Sequence, residues 1–174
     1  MAEARCSRVR PTSFTNPADY VRRISRAIFS RRFCGLPEGS WGANSDNSVW
    51  FNQDTAWTWK HIYPAEFSVQ QMANSGLWKG NALATRLAQQ VCRELLLLES
   101  SDWQFLITTK HARDYAEKRF NTHLDQLCAL LDIWRRFEAT KEIPSDKLQE
   151  LEKIEQRDFV FPDIKPELWA KAIG

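Results

Sequence analysis

The sequence predicts an all-α fold: a helical bundle carrying one irregular, tryptophan-rich insertion between its first helix and the rest. Three observations predict it. Apolar residues recur at three- and four-residue steps through most of the second half of the chain, the period of an amphipathic helix. Asn, Ser, Pro and Gly stand at the ends of those runs, where helices start and stop. One stretch, 36–67, loses the period and gathers turn residues and aromatics instead. Together they divide a single domain, 1–174, into a basic arm with an arginine-rich helix (1–35), the aromatic segment (36–67) and the bundle (68–174).

Residues 1–15 are polar and irregular. Asn16 then serves as N-cap, Pro17 takes the first helical position, and Asp19 faces the positive end of the helix dipole. Val21, Ile24 and Ile28 form one apolar stripe, Arg22, Arg23 and Arg26 fall on the opposite face, and Gly35 stops the helix. In the aromatic segment, Leu36-Pro37-Glu38-Gly39 and the run from Gly42 to Ser48 read as turns. Trp41, Trp50, Phe51, Trp57, Trp59 and Tyr63 crowd the remainder. Val49 to Lys60 has strand-like aromatics and admits a short hairpin, interrupted by Asn52-Gln53-Asp54; a long structured loop is the alternative.

Ser68-Val69-Gln70-Gln71 resembles a capping box, and Asn74-Ser75-Gly76 ends the short helix it opens. A second helix runs from about Asn81 to Glu99, with Leu83, Leu87, Val91, Leu95 and Leu98 on one stripe. Asp102 opens the longest pattern, in which Phe120, Leu124, Leu127, Leu131 and Trp134 form a bundle seam; Ile107-Thr108-Thr109 is a break point near its start. Pro144-Ser145-Asp146 begins a charged helix to about Arg157, with a thin stripe of Leu148, Leu151 and Ile154. Phe159 to Pro162 is extended, and Pro166 starts a short terminal helix with Leu168 and Trp169.

Composition narrows the class. With 174 residues, 43% apolar, eight Trp and ten Phe, the chain can bury a sizeable core. No apolar run approaches the ~18 residues that span a bilayer, so no membrane partner is expected. The start is arginine- and serine-rich like a transit peptide, but Glu3 and Asp19 oppose that reading. Cys6, Cys34, Cys92 and Cys128 are scattered without a C-x-x-C pair, which fits a reducing, cytoplasmic compartment, with Cys92 and Cys128 as small apolar residues on helices. Phosphate loops, a dinucleotide fingerprint, a nucleophile elbow and H-E-x-x-H are all absent, so no cofactor, metal or catalytic residue is implied. His111 and His123 fall on different faces of the longest helix and read as surface or hydrogen-bonded core residues.

Charge points to a partner. Residues 1–35 hold eight arginines (Arg5, Arg8, Arg10, Arg22, Arg23, Arg26, Arg31, Arg32) and two acids, a balance of +6; residues 36–174 hold 16 basic and 20 acidic residues, a balance of −4. Such asymmetry, built from guanidinium forks, suits a polyanion. The leading expectation is a non-catalytic, nucleic-acid-binding subunit of a ribonucleoprotein that contacts the phosphate backbone without reading sequence. In design this resembles the small helical subunits of CRISPR effector complexes. Lys110, Arg113, Lys118 and Arg119 offer a second basic surface, and Arg135-Arg136 beside Trp134 a smaller one.

Two other readings compete. A protein–protein adaptor or inhibitor would use Trp41, Trp50, Trp57 and Trp59 as an anchor patch, since Trp and Arg dominate interface hot spots. The same cluster otherwise plugs the core under a loop, or stacks bases. Finally, Arg119-Phe120-Asn121-Thr122-His123 resembles the Arg–His motif of helical HEPN ribonucleases, which keep a longer gap between the two residues. That resemblance implies Arg119 and His123 as a ribonuclease pair.

Overall fold

The structure, a computed structural model, describes residues 39–40 and 42–170. The helix expected from Asn16, with Arg5, Arg8, Arg10, Arg22, Arg23, Arg26, Arg31 and Arg32, lies outside the described residues, as does Trp41. Among the described residues every regular element is helical, as the all-α class requires. In order they are α1 (Ala56–Ser75), α2 (Ala82–Leu98), α3 (Asp102–Thr109), α4 (Arg113–Thr140) and α5 (Ser145–Arg157), with 3-10 turns at Ala43–Ser45 and Pro166–Trp169.

No strand occurs among the described residues, so the hairpin alternative for Val49 to Lys60 is not realised. Side chains close the backbone into a turn instead. The Asn52 amide N–H donates to Thr55 Oγ1 at 3.0 Å, and that hydroxyl donates to the Trp50 carbonyl at 2.9 Å. Donors used in this way are unavailable to a ladder. Helix α1 therefore begins at Ala56, well before Ser68, and Thr58, Ile62, Ala65, Val69 and Met72 repeat along its buried side. Ser68 sits mid-helix and donates to the Pro64 carbonyl at 2.9 Å rather than capping. Gly76, at φ 64°, ends the helix in the left-handed region that glycine adopts without a Cβ penalty.

Helix α2 is central. Its N-cap is Asn81, whose side chain accepts from the Leu83 and Ala84 amides at 3.1 and 3.0 Å. Leu87, Ala88, Val91, Cys92, Leu95 and Leu98 are fully buried, and so are the polar Gln90 and Glu94. The predicted break after Asp102 falls at Lys110, which takes φ 60°. The longest helix thus starts at Arg113, and His111 stands exposed in the preceding turn. Along α4, Phe120, Leu127, Leu131 and Trp134 face the core as the seam predicts, joined by Leu130, Ile133 and Phe137. Each fully buried Leu or Phe of this core contributes about 1.5–3 kcal/mol.

Arg86 of α2 grips Glu155 of α5 through both guanidinium edges, its Nε lying 2.7 and 2.9 Å from the carboxylate oxygens. Beyond α5 the chain returns across α2 as an irregular strap. Gln89 donates to the Ile164 carbonyl at 3.1 Å, Gln90 to that of Asp158 at 3.2 Å, and Arg93 to those of Val160 and Phe161.

Candidate functional site

Two features stand out from the scaffold, an aromatic surface on α1 and a buried polar cluster where α2, α4 and the strap meet. The aromatic surface is fixed from both ends. Thr108 of α3 donates to the Val49 carbonyl at 2.7 Å, and the Asn52 side-chain Nδ2 donates to the Thr108 hydroxyl at 2.8 Å. Trp50 covers Gly42 so closely that a Cβ there would meet its ring at 2.9 Å. Trp59 Nε1 donates to the Trp50 carbonyl at 3.1 Å, and its ring lies 5.8 Å from that of Tyr63. Tyr63, Phe67 and, before the helix, Phe51 are exposed. Trp57 turns the other way and meets Phe120 edge-on at 5.0 Å. Trp57 and Trp59 thus pack against the core while Trp50 is half-buried, so the described members of the expected anchor patch do not form one exposed face.

The buried cluster centres on His123, which is wholly inaccessible and stacked on Trp103 of α3 with ring centroids 6.1 Å apart. Arg119 Nη2 lies 2.9 Å from His123 Nε2, and Nδ1 lies 2.9 Å from Glu94 Oε2. A guanidinium only donates, so Nε2 accepts and the ring proton on Nδ1 is donated to Glu94. Gln90 donates to the other Glu94 oxygen at 2.9 Å, and Gln126 donates to Asp158 at 2.8 Å. Arg119 also stands 3.8 Å from Asp158. Glu94, His123 and Asp158 bring one donor atom each within 4.8 Å of one another, a spacing a metal ion can use. Here the guanidinium of Arg119 already supplies the positive charge.

These positions revise the residue roles expected from sequence. Arg119 and His123 do meet, but His123 is wholly buried and its Nδ1 is bound to Glu94, so no RNA strand reaches the imidazole and the ribonuclease reading fails on geometry. The residues expected to form the second basic surface are differently placed. Lys110 and Lys118 are exposed, Arg113 pairs with Glu117 at 2.8 Å and with Asp54 at 3.7 Å, and Arg119 points inward. Arg135 pairs with Asp132 at 2.6 Å, while its neighbour Trp134 is buried. Cys92 is buried as expected of a small apolar residue, but Cys128 is exposed; both are free. No helix among the described residues is long and apolar enough to cross a membrane.

Sequence reading missed the buried cluster and the exposed pair Tyr63–Phe67. Signals existed for both. Gln90 and Glu94 are polar residues four apart inside a leucine-rich helix, His123 and Gln126 interrupt the α4 seam, and Trp59, Tyr63 and Phe67 repeat at four-residue steps.

Residues 61–169 match the sequence family described as 1,4-alpha-glucan branching enzyme, C-terminal. A 1,4-alpha-glucan branching enzyme of Thermococcus kodakarensis is 46% identical over 127 residues, 72% of this chain and 18% of that protein. The crystal structure of a GH57-type branching enzyme from the hyperthermophilic archaeon Pyrococcus horikoshii aligns with a TM-score of 0.73 at 31% identity, covering 87% of this chain and 28% of that one. A GH57 branching enzyme from Thermococcus kodakaraensis, solved in complex with glucose and additives, aligns with a TM-score of 0.71 at 39% identity, over 85% of this chain and 27% of that one. The chain therefore spans less than a third of each of these relatives.

These likenesses overturn the expected nucleic-acid-binding ribonucleoprotein subunit, its nucleic-acid and subunit partners, and the expectation of a non-enzyme. Among the described residues, Arg86, Arg113 and Arg119 pair with carboxylates of the fold itself rather than standing free for phosphate. The all-helical region matches a carbohydrate-active enzyme family in sequence and in fold, and the chain belongs to the family of 1,4-alpha-glucan branching enzyme C-terminal domains.

Proposed function

We propose that this chain acts as the C-terminal helical domain of a 1,4-α-glucan branching enzyme, with α-1,4-linked glucan as its substrate class. The observation that carries this reading is the family match over residues 61–169, supported by the 46% identical branching enzyme. The surface is compatible with it. Phe51, Tyr63 and Phe67 leave aromatic faces open to solvent, and a pyranose ring stacks its apolar C–H face on such a surface while its hydroxyls stay at the rim. The free thiols of Cys92 and Cys128 fit a cytoplasmic site of action.

The test is native electrophoresis of the full chain in gels cast with and without amylose. Retardation by amylose relative to a non-binding reference protein is the expected result. Mobility that amylose leaves unchanged overturns the proposal.

A further inference from the structure

We infer that the strap after α5 is an interface between two copies of this chain, centred on Phe159, Val160 and Phe161. These three side chains stand in water, at 75%, 41% and 52% exposure, and Leu168 follows them at 74%. The core takes Ile164 from this region and leaves all four out.

The segment is held by its backbone instead. Gln90 donates to the Asp158 carbonyl, Arg93 to those of Val160 and Phe161, and Gln89 to that of Ile164. Arg93 is itself buried, so a guanidinium has been withdrawn from water to fix two carbonyls. Phe161 sits at φ 54°, in the left-handed region that a residue with a bulky side chain rarely adopts. A clamped, strained backbone that presents apolar side chains outward has the anatomy of a contact surface rather than of a loose connection.

Two observations select a second copy as the occupant. The first is the rim. Asp163, Lys165 and Glu167 are exposed, and none has an ion-pair partner among the described residues. A rim of one sign calls for a partner of the other sign. A rim with both signs complements itself, because a two-fold axis sets Lys165 of one copy against Asp163 and Glu167 of the other. The second observation is the backbone of Phe159, whose N–H and carbonyl both lack a hydrogen-bond partner among the described residues. A donor and an acceptor on one residue are what two antiparallel copies exchange as a reciprocal pair of bonds.

Area sets the strength. The exposed parts of Phe159, Val160, Phe161 and Leu168 amount to about 400 Å². Two copies then bury about 800 Å² of apolar surface and, with the charged rim, about 1,200 Å² in all, the lower end of specific interfaces. Micromolar rather than nanomolar association follows.

Sedimentation velocity of the full chain between about 1 and 200 μM tests the interface, and the unaltered chain is expected to pass from monomer to dimer in that range. Phe159→Asp is expected to remain monomeric throughout. Phe161→Gly loses the ring but relaxes the backbone, so it is expected to weaken the dimer at least about tenfold while raising the thermal midpoint of the dilute monomer. Lys165→Glu and the double change Asp163→Lys, Glu167→Lys are each expected to weaken self-association about tenfold, and an equimolar mixture of the two chains to restore it. A chain that stays monomeric at the highest concentration overturns the proposal, as does a Phe159→Asp variant that dimerises like the unaltered chain. Assemblies that grow past the dimer overturn it too, and so does a mixture of the oppositely charged variants that stays monomeric. Loss of several degrees of midpoint by either phenylalanine variant as a dilute monomer has the same force, because the rings then serve the fold of the single chain.

Discussion

Glu99 closes α2, and its carboxyl, mostly withdrawn from water, faces Glu66 of α1. Burial, the charge of Glu66 and a hydrogen bond with it push the Glu99 carboxyl up to about 7 from an ordinary value of 4.5. Between those two values the folded chain holds a proton that the unfolded chain releases. The stabilisation from Glu99 is therefore complete below about 4.5 and is lost as pH rises through about 7. Glu99→Gln should abolish this slope. Urea unfolding between pH 5 and 8 should show the natural chain weakening by of the order of 1 kcal/mol, reduced from the full linkage value by solvent access, while the variant stays level. Parallel pH profiles for the two chains contradict the assignment. No sequence pattern marks this residue among 22 carboxylates, because Glu66 and Glu99 meet only when α1 packs on α2.

Helices α2 and α5 were legible because two independent signals coincide in each: Asn81 caps the leucine stripe of α2, and Pro144-Ser145-Asp146 opens the stripe of α5. In α1 the signals conflict. Trp57-Thr58-Trp59 alternates like a strand, and Pro64 reads as a helix breaker, although only the buried period from Thr58 to Met72 decides the outcome. Pro64 lies inside the helix with its ring exposed, and it has no N–H to give the Lys60 carbonyl. Interior proline costs about 3 kcal/mol relative to alanine, and the stiffer unfolded chain returns part of that. Pro64→Ala should therefore raise stability by about 1–2 kcal/mol, seen as a higher urea midpoint at unchanged slope. A lower midpoint means that the proline ring packs in a way its exposure does not show.

At the scale of the molecule, net charge was a poor guide because it ignores where each charge ends up. The +2 total and its uneven split describe the sequence, whereas the fold uses Arg86, Arg93 and Arg119 to bind its own elements together. The buried cluster shows the same principle from the interior. Arg119 and Arg157 flank Asp158 at 3.8 and 3.4 Å, His123 and Gln90 bond Glu94, Arg93 donates to Gln90, and Gln126 donates to Asp158. The buried members of the cluster come from α2, α4 and the strap, so no local window of sequence contains it. Burial decides its worth. Removing the imidazole strands the Glu94 carboxylate in the core, whereas an exposed pair such as Arg135–Asp132 exchanges one solvated state for another. His123→Ala is expected to lower unfolding stability by about 3–5 kcal/mol, and Asp132→Ala by less than about 1 kcal/mol, although both pairs are in close contact. Chemical denaturation of the two variants side by side checks the contrast. Equal losses from both would mean that water reaches the cluster and that it does not tie α2, α4 and the strap into one unit.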